Sequence, residues 1–223
     1  MLDVIRNEVY KCMGKDASGH NNDHIKRVYD LSMKFANDED VDLTVVGMIA
    51  LLHDVDDYKL VSKEESSNMT NTKRILSIAK VDENTQKIVL SELSRFGYSK
   101  SLDGIRPLTK EGQIVSDADM CDGMGVNGFL RCYQYNLKHG YSVFDRNNLP
   151  IHYNNSSEYK NSSTSTVVNH MFDKLLRLKN LMLTKPGKIE AESRHEILVD
   201  ILYHLFEEEN APEWIRYLEE FEK

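Results

Sequence analysis

The amino-acid sequence predicts an all-α protein, and three observations support this. Its 223 residues include only 4 Pro and 11 Gly, so residues that break helices are few. Many windows place apolar side chains at spacings of three and four, which is typical of a helix with one buried face. No Ser/Gly-rich linker divides the chain, which is long enough to bury a sizeable core. We therefore expect a single domain over residues 1–223.

Composition narrows the class of protein. The formal net charge of −8 disfavours extended contact with nucleic acid, although a local basic patch could still bind a small anion. Three cysteines without C-x-x-C spacing indicate neither a disulfide framework nor a zinc ribbon. The first residues are charged, and no apolar run approaches ~20 residues. We expect a cytoplasmic protein with no membrane partner.

The first two predicted helices bring a histidine to the core. Residues 2–13 form an amphipathic helix, and a polar turn then opens a second one. In the second helix His24, Val28, Leu31 and Phe35 recur at helical spacing, so His24 lies on the core-facing stripe. A lone histidine in such a place is more often a core residue bonded to a carbonyl.

The third predicted helix, residues 42–54, ends in a second histidine and an aspartate. Val46, Ile49 and His53 share one face, so this imidazole also points inward. Asp54 follows directly. Buried polar groups are costly unless a partner or a metal satisfies them, so this pair needs one elsewhere in the chain.

A second candidate acidic group lies further along the chain. Two predicted helices at 63–79 and 82–93 and a loop at 95–107 come before it. A sixth predicted helix then begins at about residue 110. In the sixth helix Asp117 follows Ile114-Val115 and could face the core. Asp119 and Asp122 are interpreted as a solvated face or a cap.

The remaining segments complete the predicted organisation. Gly123, Gly125 and Gly128 match the spacing of a dinucleotide-binding motif, but no strand pattern precedes them, which argues against that function. Residues 139–165 form a long polar loop, of a kind that is often a lid or disordered. The predicted organisation thus has three parts. Residues 1–138 form a metal-binding helical core, residues 139–165 form this loop, and residues 166–223 form C-terminal helices that pack on the core.

Two imidazoles and two carboxylates arrive from three predicted helices, as His24, His53, Asp54 and Asp117. This mixture suits a six-coordinate divalent ion such as Mn²⁺, with Fe²⁺, Co²⁺, Ni²⁺ and Mg²⁺ as alternatives. A structural zinc site would more often use cysteines. Water molecules would fill the open positions, so chemistry is possible at such an ion.

These residues lie in motifs that resemble those of the HD-domain metal-dependent phosphohydrolase superfamily. His24 lies in His-Ile-x-Arg-Val, the pair His53-Asp54 in Leu-Leu-His-Asp, and Asp117 in Ser-Asp-Ala-Asp. The resemblance implies an HD-domain helical bundle with additional C-terminal helices. It also implies that these four residues bind the metal.

Further runs resemble one bacterial branch of that superfamily, which includes nucleoside triphosphate pyrophosphatases. They are Gly19-His20, 53–59, 111–119 and 169–176. The chain departs from the pattern of that branch at Asn21, where Asp is common, and at Met120, where Arg is common. Members with two metals carry additional histidines after the His-Asp pair, and this chain has none between His53 and His139, so we expect one metal ion.

Such an ion would lower the pKa of a bound water toward ~7 and supply hydroxide. Near the metal pair, Asp57 is a candidate general acid or base, and His20 could share the face of His24 or reach substrate from the loop. Lys59, five residues beyond Asp54, is the first candidate for a phosphate contact.

Three weaker substrate-binding candidates are Arg131, Lys174 and His170. For Arg131, Lys174 and Lys59, an ordinary solvated surface position fits the sequence at least as well as a phosphate contact. For His170, a role in helix packing fits at least as well as substrate binding.

The predicted function is hydrolysis of a nucleoside triphosphate to the monophosphate and pyrophosphate. Two alternatives fit the same residues: a nucleoside 5′-monophosphatase, and a non-catalytic nucleotide-binding helical module. A nucleotide is the expected small-molecule partner, and a homodimer is possible.

Overall fold

A computed structural model describes residues 1–13, 22–153, 155–161 and 166–223. These residues form thirteen α-helices, α1 to α13, and one 3₁₀ segment at Leu175–Leu181. In chain order the α-helices are Leu2–Met13, Asn22–Ala36, Leu43–Leu52, Lys63–Asn68, Thr70–Ile78, Glu83–Leu93, Tyr98–Leu102, Lys110–Asp122, Gly125–Lys138, Ser156–Asn161, Val167–Asp173, Lys185–Glu208 and Pro212–Phe221. The predicted all-α class is confirmed. Extended pairing within the described residues is limited to one isolated bridge, between Ser142 and Thr166.

The helices fall into two compact units, Met1–Asp119 and Met120–Lys223. The predicted boundary at residue 138 lies inside the second unit, and the single-domain arrangement stays a prediction. Across the described residues, no helix combines the length and the apolar character needed to cross a membrane.

In the first unit α3 is the central helix, and α1, α2 and α6 pack against it. Its sequence is almost wholly apolar, so the helix is buried on nearly all sides. Asp42 caps its start by accepting hydrogen bonds from the backbone N–H groups of Thr44 and Val45. Gly47 allows close approach, because a Cβ there would lie 3.0 Å from the Leu2 side chain. This packing fixes the end of α3, where His53 lies.

The predicted helix at 63–79 is two helices, which corrects that expectation. Met69 adopts a left-handed conformation with φ of 49° and separates α4 from α5. The Asp56 carboxylate accepts hydrogen bonds from the backbone N–H groups of Asn71 and Thr72 and so caps the start of α5. A cap from 15 residues away leaves no local signal.

In the second unit α12 packs against α9, α13 and the 3₁₀ segment. Trp214, Phe172 and Phe206 form its aromatic core. Met171, Leu175, Leu178 and Met182 have the spacing of one helix, yet this segment is α11 followed by the 3₁₀ segment, because the backbone at Lys174 leaves the helical region. In the long polar stretch 139–165, α10 is a short helix and residues 142 to 153 are without helix.

Candidate metal centre

His53 ends α3, and a backbone carbonyl orients its imidazole. Its Nδ1 lies 2.8 Å from the carbonyl oxygen of Ala50. Because a carbonyl only accepts, Nδ1 carries the proton, and Nε2 of the neutral ring keeps a lone pair. The His53 side chain is 1% exposed, so this lone pair needs a partner inside the protein.

His24, in the first turns of α2, meets His53 as the helical spacing predicted. The two Nε2 atoms are 3.1 Å apart, and the rings lie edge to face at 71°. His24 is also buried. Two imidazole nitrogens at this distance need either a shared proton or a common cation between them.

Two carboxylates approach the same pair of nitrogens. Oδ2 of Asp54 lies 3.2 Å from Nε2 of His24 and 3.5 Å from Nε2 of His53. Oδ1 of Asp119 lies 3.5 and 3.6 Å from the same two atoms. The Asp119 side chain is 30% exposed, so solvent reaches the cluster on that side.

The donor set of these residues fits a divalent metal ion. Ligand atoms of His24, His53 and Asp119 all lie within 4.8 Å of one another, so this cluster could hold such an ion. Neutral imidazole nitrogens combined with carboxylate oxygens suit borderline and hard divalent cations. A cation between the two Nε2 atoms would take the place of the proton that they could otherwise share.

Asp117, the fourth ligand expected from the sequence, is not in the cluster that the described residues form; Asp119 takes that place. Residues two apart on a helix point about 200° apart, so the two side chains leave α8 on opposite sides. Asp117 is fully buried and attracts Arg106. Burial lowers the pKa of Arg106, and the nearby Asp117 carboxylate opposes this shift.

The two aspartates are hard to tell apart from the sequence for a physical reason. Every residue from 114 to 122 except Asp119 is buried, so α8 has no polar face to distinguish its two sides. Asp122 was also expected at a solvated face or a cap, yet it is buried and accepts a hydrogen bond from Arg131 at 2.7 Å. Asp119 was interpreted as part of a solvated face or a cap, and it is indeed partly exposed. This exposure is also what a solvent-accessible metal ligand requires.

The turn after Asp54 holds two other predicted site residues. Asp57 is half-buried, and its Oδ1 accepts a hydrogen bond from the backbone N–H of Lys59 at 2.8 Å. Lys59 is exposed, with its ammonium 5.8 Å from the centre of the Tyr58 ring. His20 lies outside the described residues.

The three weaker substrate-binding candidates belong to the second unit. Arg131 is paired with the buried Asp122. Lys174 follows the last residue of α11 and is close enough to Cys132 to lower its thiol pKa, although burial dominates and raises that pKa to about 12. His170 is half-buried on α11. Their participation in substrate binding stays a prediction.

Solved structures of bacterial proteins share this fold. A protein from Lactobacillus plantarum is 29% identical with a TM-score of 0.80, and 96% of each chain is covered. An HD-superfamily hydrolase from Bacillus thuringiensis is also 29% identical, with a TM-score of 0.72 over 94% of this chain and 97% of that one.

A third relative is the uncharacterised protein YpgQ of Bacillus subtilis (strain 168), 28% identical over 202 residues that make up 90% of each chain. The crystal structure of YpgQ in complex with ADP is 25% identical, with a TM-score of 0.68 over 93% of this chain and 97% of that one. Residues 22–124 match the family model of the HD domain. The matched segment contains His24, His53, Asp54 and Asp119.

Proposed function

We propose that this protein is a metal-dependent phosphohydrolase that converts a nucleoside triphosphate to the monophosphate and pyrophosphate. Residues 22–124 match the family model of the HD domain, which supports this proposal. Family and fold support a metal-dependent hydrolase. The observation that carries the proposal is the convergence of the His24 and His53 Nε2 atoms with carboxylate oxygens of Asp54 and Asp119.

A nucleotide is the proposed substrate class. The support comes from Bacillus subtilis YpgQ, which has been crystallised with ADP and matches nearly the whole of this chain. ADP shares its base, ribose and phosphoanhydride with a nucleoside triphosphate, so a fold that accepts one offers a frame for the other.

We propose that His24, His53, Asp54 and Asp119 hold one divalent ion, with Mn²⁺ as the first choice; Asp119 replaces the expected Asp117 in this set. When bound, such an ion would polarise a phosphoryl oxygen and lower the pKa of a coordinated water toward about 7. The Ala50 carbonyl keeps the His53 lone pair directed at the cluster, which is the orienting role that outer hydrogen bonds have in metal sites.

Asp57 and Lys59 have complementary proposed roles beside this centre. The Lys59 backbone N–H fixes one oxygen of the Asp57 carboxylate, and a carboxylate held in this way can accept or return a proton from water. The exposed Lys59 ammonium can neutralise charge that develops on phosphate. Arg131, which pairs with Asp122, stays a weaker proposed substrate contact, as do Lys174 and His170.

Product analysis tests the proposal. Wild-type protein is incubated with nucleoside mono-, di- and triphosphates in the presence of Mn²⁺, Co²⁺ or Mg²⁺, and pyrophosphate and inorganic phosphate are assayed separately. We expect pyrophosphate from triphosphates, and a loss of activity of at least about 10³-fold in His53→Ala, since both ion and water depend on that ligand. His204→Ala, a change at an exposed histidine of α12, is the control and keeps full activity.

Other outcomes reassign the function. Release of inorganic phosphate from monophosphates alone would identify a nucleoside 5′-monophosphatase. Nucleotide binding without any hydrolysis would indicate a non-catalytic module, and activity that survives His53→Ala would refute the metal assignment.

A further inference from the structure

The buried carboxylate of Glu92 connects α6 to the start of α8, the helix that carries Asp119. Glu92 lies on α6, which packs against α3, the helix that ends at His53. Its side chain is almost fully buried, and Oε2 accepts a hydrogen bond of 2.9 Å from the backbone N–H of Leu108. Leu108 leads directly into α8, the helix that carries Asp119.

Gly112, in the first turn of α8, makes room for this carboxylate. A Cβ at Gly112 would lie 2.1 Å from Glu92 Oε2 and 3.0 Å from the Cβ of Pro107. The absence of a side chain therefore lets Glu92 lie directly against the helix backbone. A carboxylate beside the first turn of a helix is also favoured by the helix dipole.

The position of this contact along α8 matters for the metal centre. Gly112 and Asp119 are seven residues apart, about two helical turns, so they lie on the same face of α8. A contact that fixes the first turn also fixes the rotation of the helix, and with it the direction of the Asp119 carboxylate. We propose that Glu92 is a positioning residue that holds α8 so that Asp119 faces His24 and His53, an inference that rests on the proposed metal-dependent function.

Other attachments of this turn lie at the surface. Glu111 accepts a hydrogen bond from the backbone N–H of Asp42, and Lys110 pairs with Glu39. Exposed ion pairs contribute little and are screened by salt, whereas a buried hydrogen bond to a charged group is strong and costly to lose. Of these three attachments of the first turn, Glu92 is therefore the one whose loss should displace α8 most.

The test measures metal affinity in the full-length protein without nucleotide, by Mn²⁺ titration with electron paramagnetic resonance. We expect Glu92→Ala to weaken Mn²⁺ binding about tenfold or more, as loss of an orienting partner does in other metal sites. Glu92→Gln keeps an oxygen that can accept from Leu108, so its affinity should stay within about threefold of wild type. Glu83→Ala, at an exposed position of the same helix, is the control and should not change it.

Two further variants separate positioning from a general loss of stability. Leu202→Ala removes a buried side chain of α12 and should lower the unfolding temperature without changing Mn²⁺ affinity. Gly112→Ala displaces Glu92 and should weaken Mn²⁺ binding by itself, yet add little to Glu92→Ala in the double variant, because the carboxylate that it would meet is gone.

Mn²⁺ affinity of Glu92→Ala equal to that of wild type, or equal losses in Glu92→Ala and Leu202→Ala, would overturn the proposal. The proposed function fails by a different result: wild-type protein that binds Mn²⁺ but releases no product from any nucleotide. The Glu92 measurement remains valid in that case, because it involves no substrate.

Discussion

Asp117 and Asp119 are the same residue type, two positions apart on one helix, and their surroundings give them different roles. Asp119 is partly exposed and lies against the two imidazoles, so its charge is available to a cation. Asp117 is fully buried and attracts Arg106, so its charge contributes to the interior of the first unit. Substitution of each residue by its amide separates these roles.

We expect Asp119→Asn to weaken Mn²⁺ binding at least about tenfold and to change stability without metal very little. Asp117→Asn should lower the free energy of unfolding by about 1–3 kcal/mol, because the half-buried Arg106 loses the attraction of a buried carboxylate. Mn²⁺ titration and urea unfolding of both variants check this. The reverse pattern would restore Asp117 as the ligand.

Asp173 gives the second unit a pH dependence. Burial raises the pKa of its carboxyl from an ordinary 3.8 to about 6, although Oδ1 accepts a hydrogen bond from the Ile151 backbone N–H. Because the folded-state pKa is the higher one, the stability contributed by Asp173 is complete below about pH 4 and is lost as the pH rises through 6.

In the wild type the free energy of unfolding should therefore decrease by up to about 3 kcal/mol between pH 4 and 7. Asp173→Asn should abolish this decrease, while its amide oxygen can still accept a hydrogen bond from the Ile151 backbone N–H. The measurement is the urea midpoint as a function of pH, with Asp200→Asn at an exposed position of α12 as the control. Parallel pH profiles for wild type and Asp173→Asn would contradict this expectation.

At the scale of elements, the glycines at the end of α8 and the start of α9 allow the backbone to pack closely there. A Cβ at Gly128 would lie 2.2 Å from the carbonyl oxygen of Gly123, and Gly125 has φ of +65°. The chain thus folds tightly back on itself between α8 and α9. This close contact is the structural reason for glycines that superficially match a dinucleotide-binding motif.

Gly128→Ala should consequently lower the free energy of unfolding by about 3 kcal/mol, since the colliding atoms belong to the backbone and cannot rotate away. Thermal or denaturant unfolding measures the change. Asn127→Ala, at the exposed neighbouring position, is the control and should change stability by less than about 0.5 kcal/mol. Equal stability of the two variants would show that the turn can adjust.

At the scale of the whole molecule, a metal ion held by α2, α3, the turn after α3 and α8 connects segments that are distant in sequence. An ion that binds only the folded chain stabilises it, by about 2.7 kcal/mol at 100 times its dissociation constant. For a chain of this length that corresponds to a rise of about 5–10 °C in the unfolding temperature.

We expect this rise when Mn²⁺ is added to wild-type protein, its reversal by a chelator, and no rise in His53→Ala. Circular dichroism during heating provides the measurement. An equal rise in both proteins would place the ion elsewhere, for example on the acidic surface implied by the net charge of −8.

Much of the architecture was predictable because it depends on local spacing. The bounds expected for α1 agree with the structure, and those of α3 and α6 differ by at most two residues at each end. The all-α class is confirmed, and residues 22–124 match the family model of the HD domain, as the motifs around His24 and His53 predicted. The inward direction of His24 and His53 follows from the same 3.6-residue repeat, which any apolar stripe records.

Other features depend on contacts between residues that are distant along the chain, and local spacing does not record them. Asp56 caps α5 from 15 residues away, and Arg131 neutralises the buried Asp122. The choice of Asp119 over Asp117 depends on which side of α8 faces α2 and the end of α3. A helix that is buried on nearly all sides carries no sequence signal for that choice, so it is decided only when the helices pack.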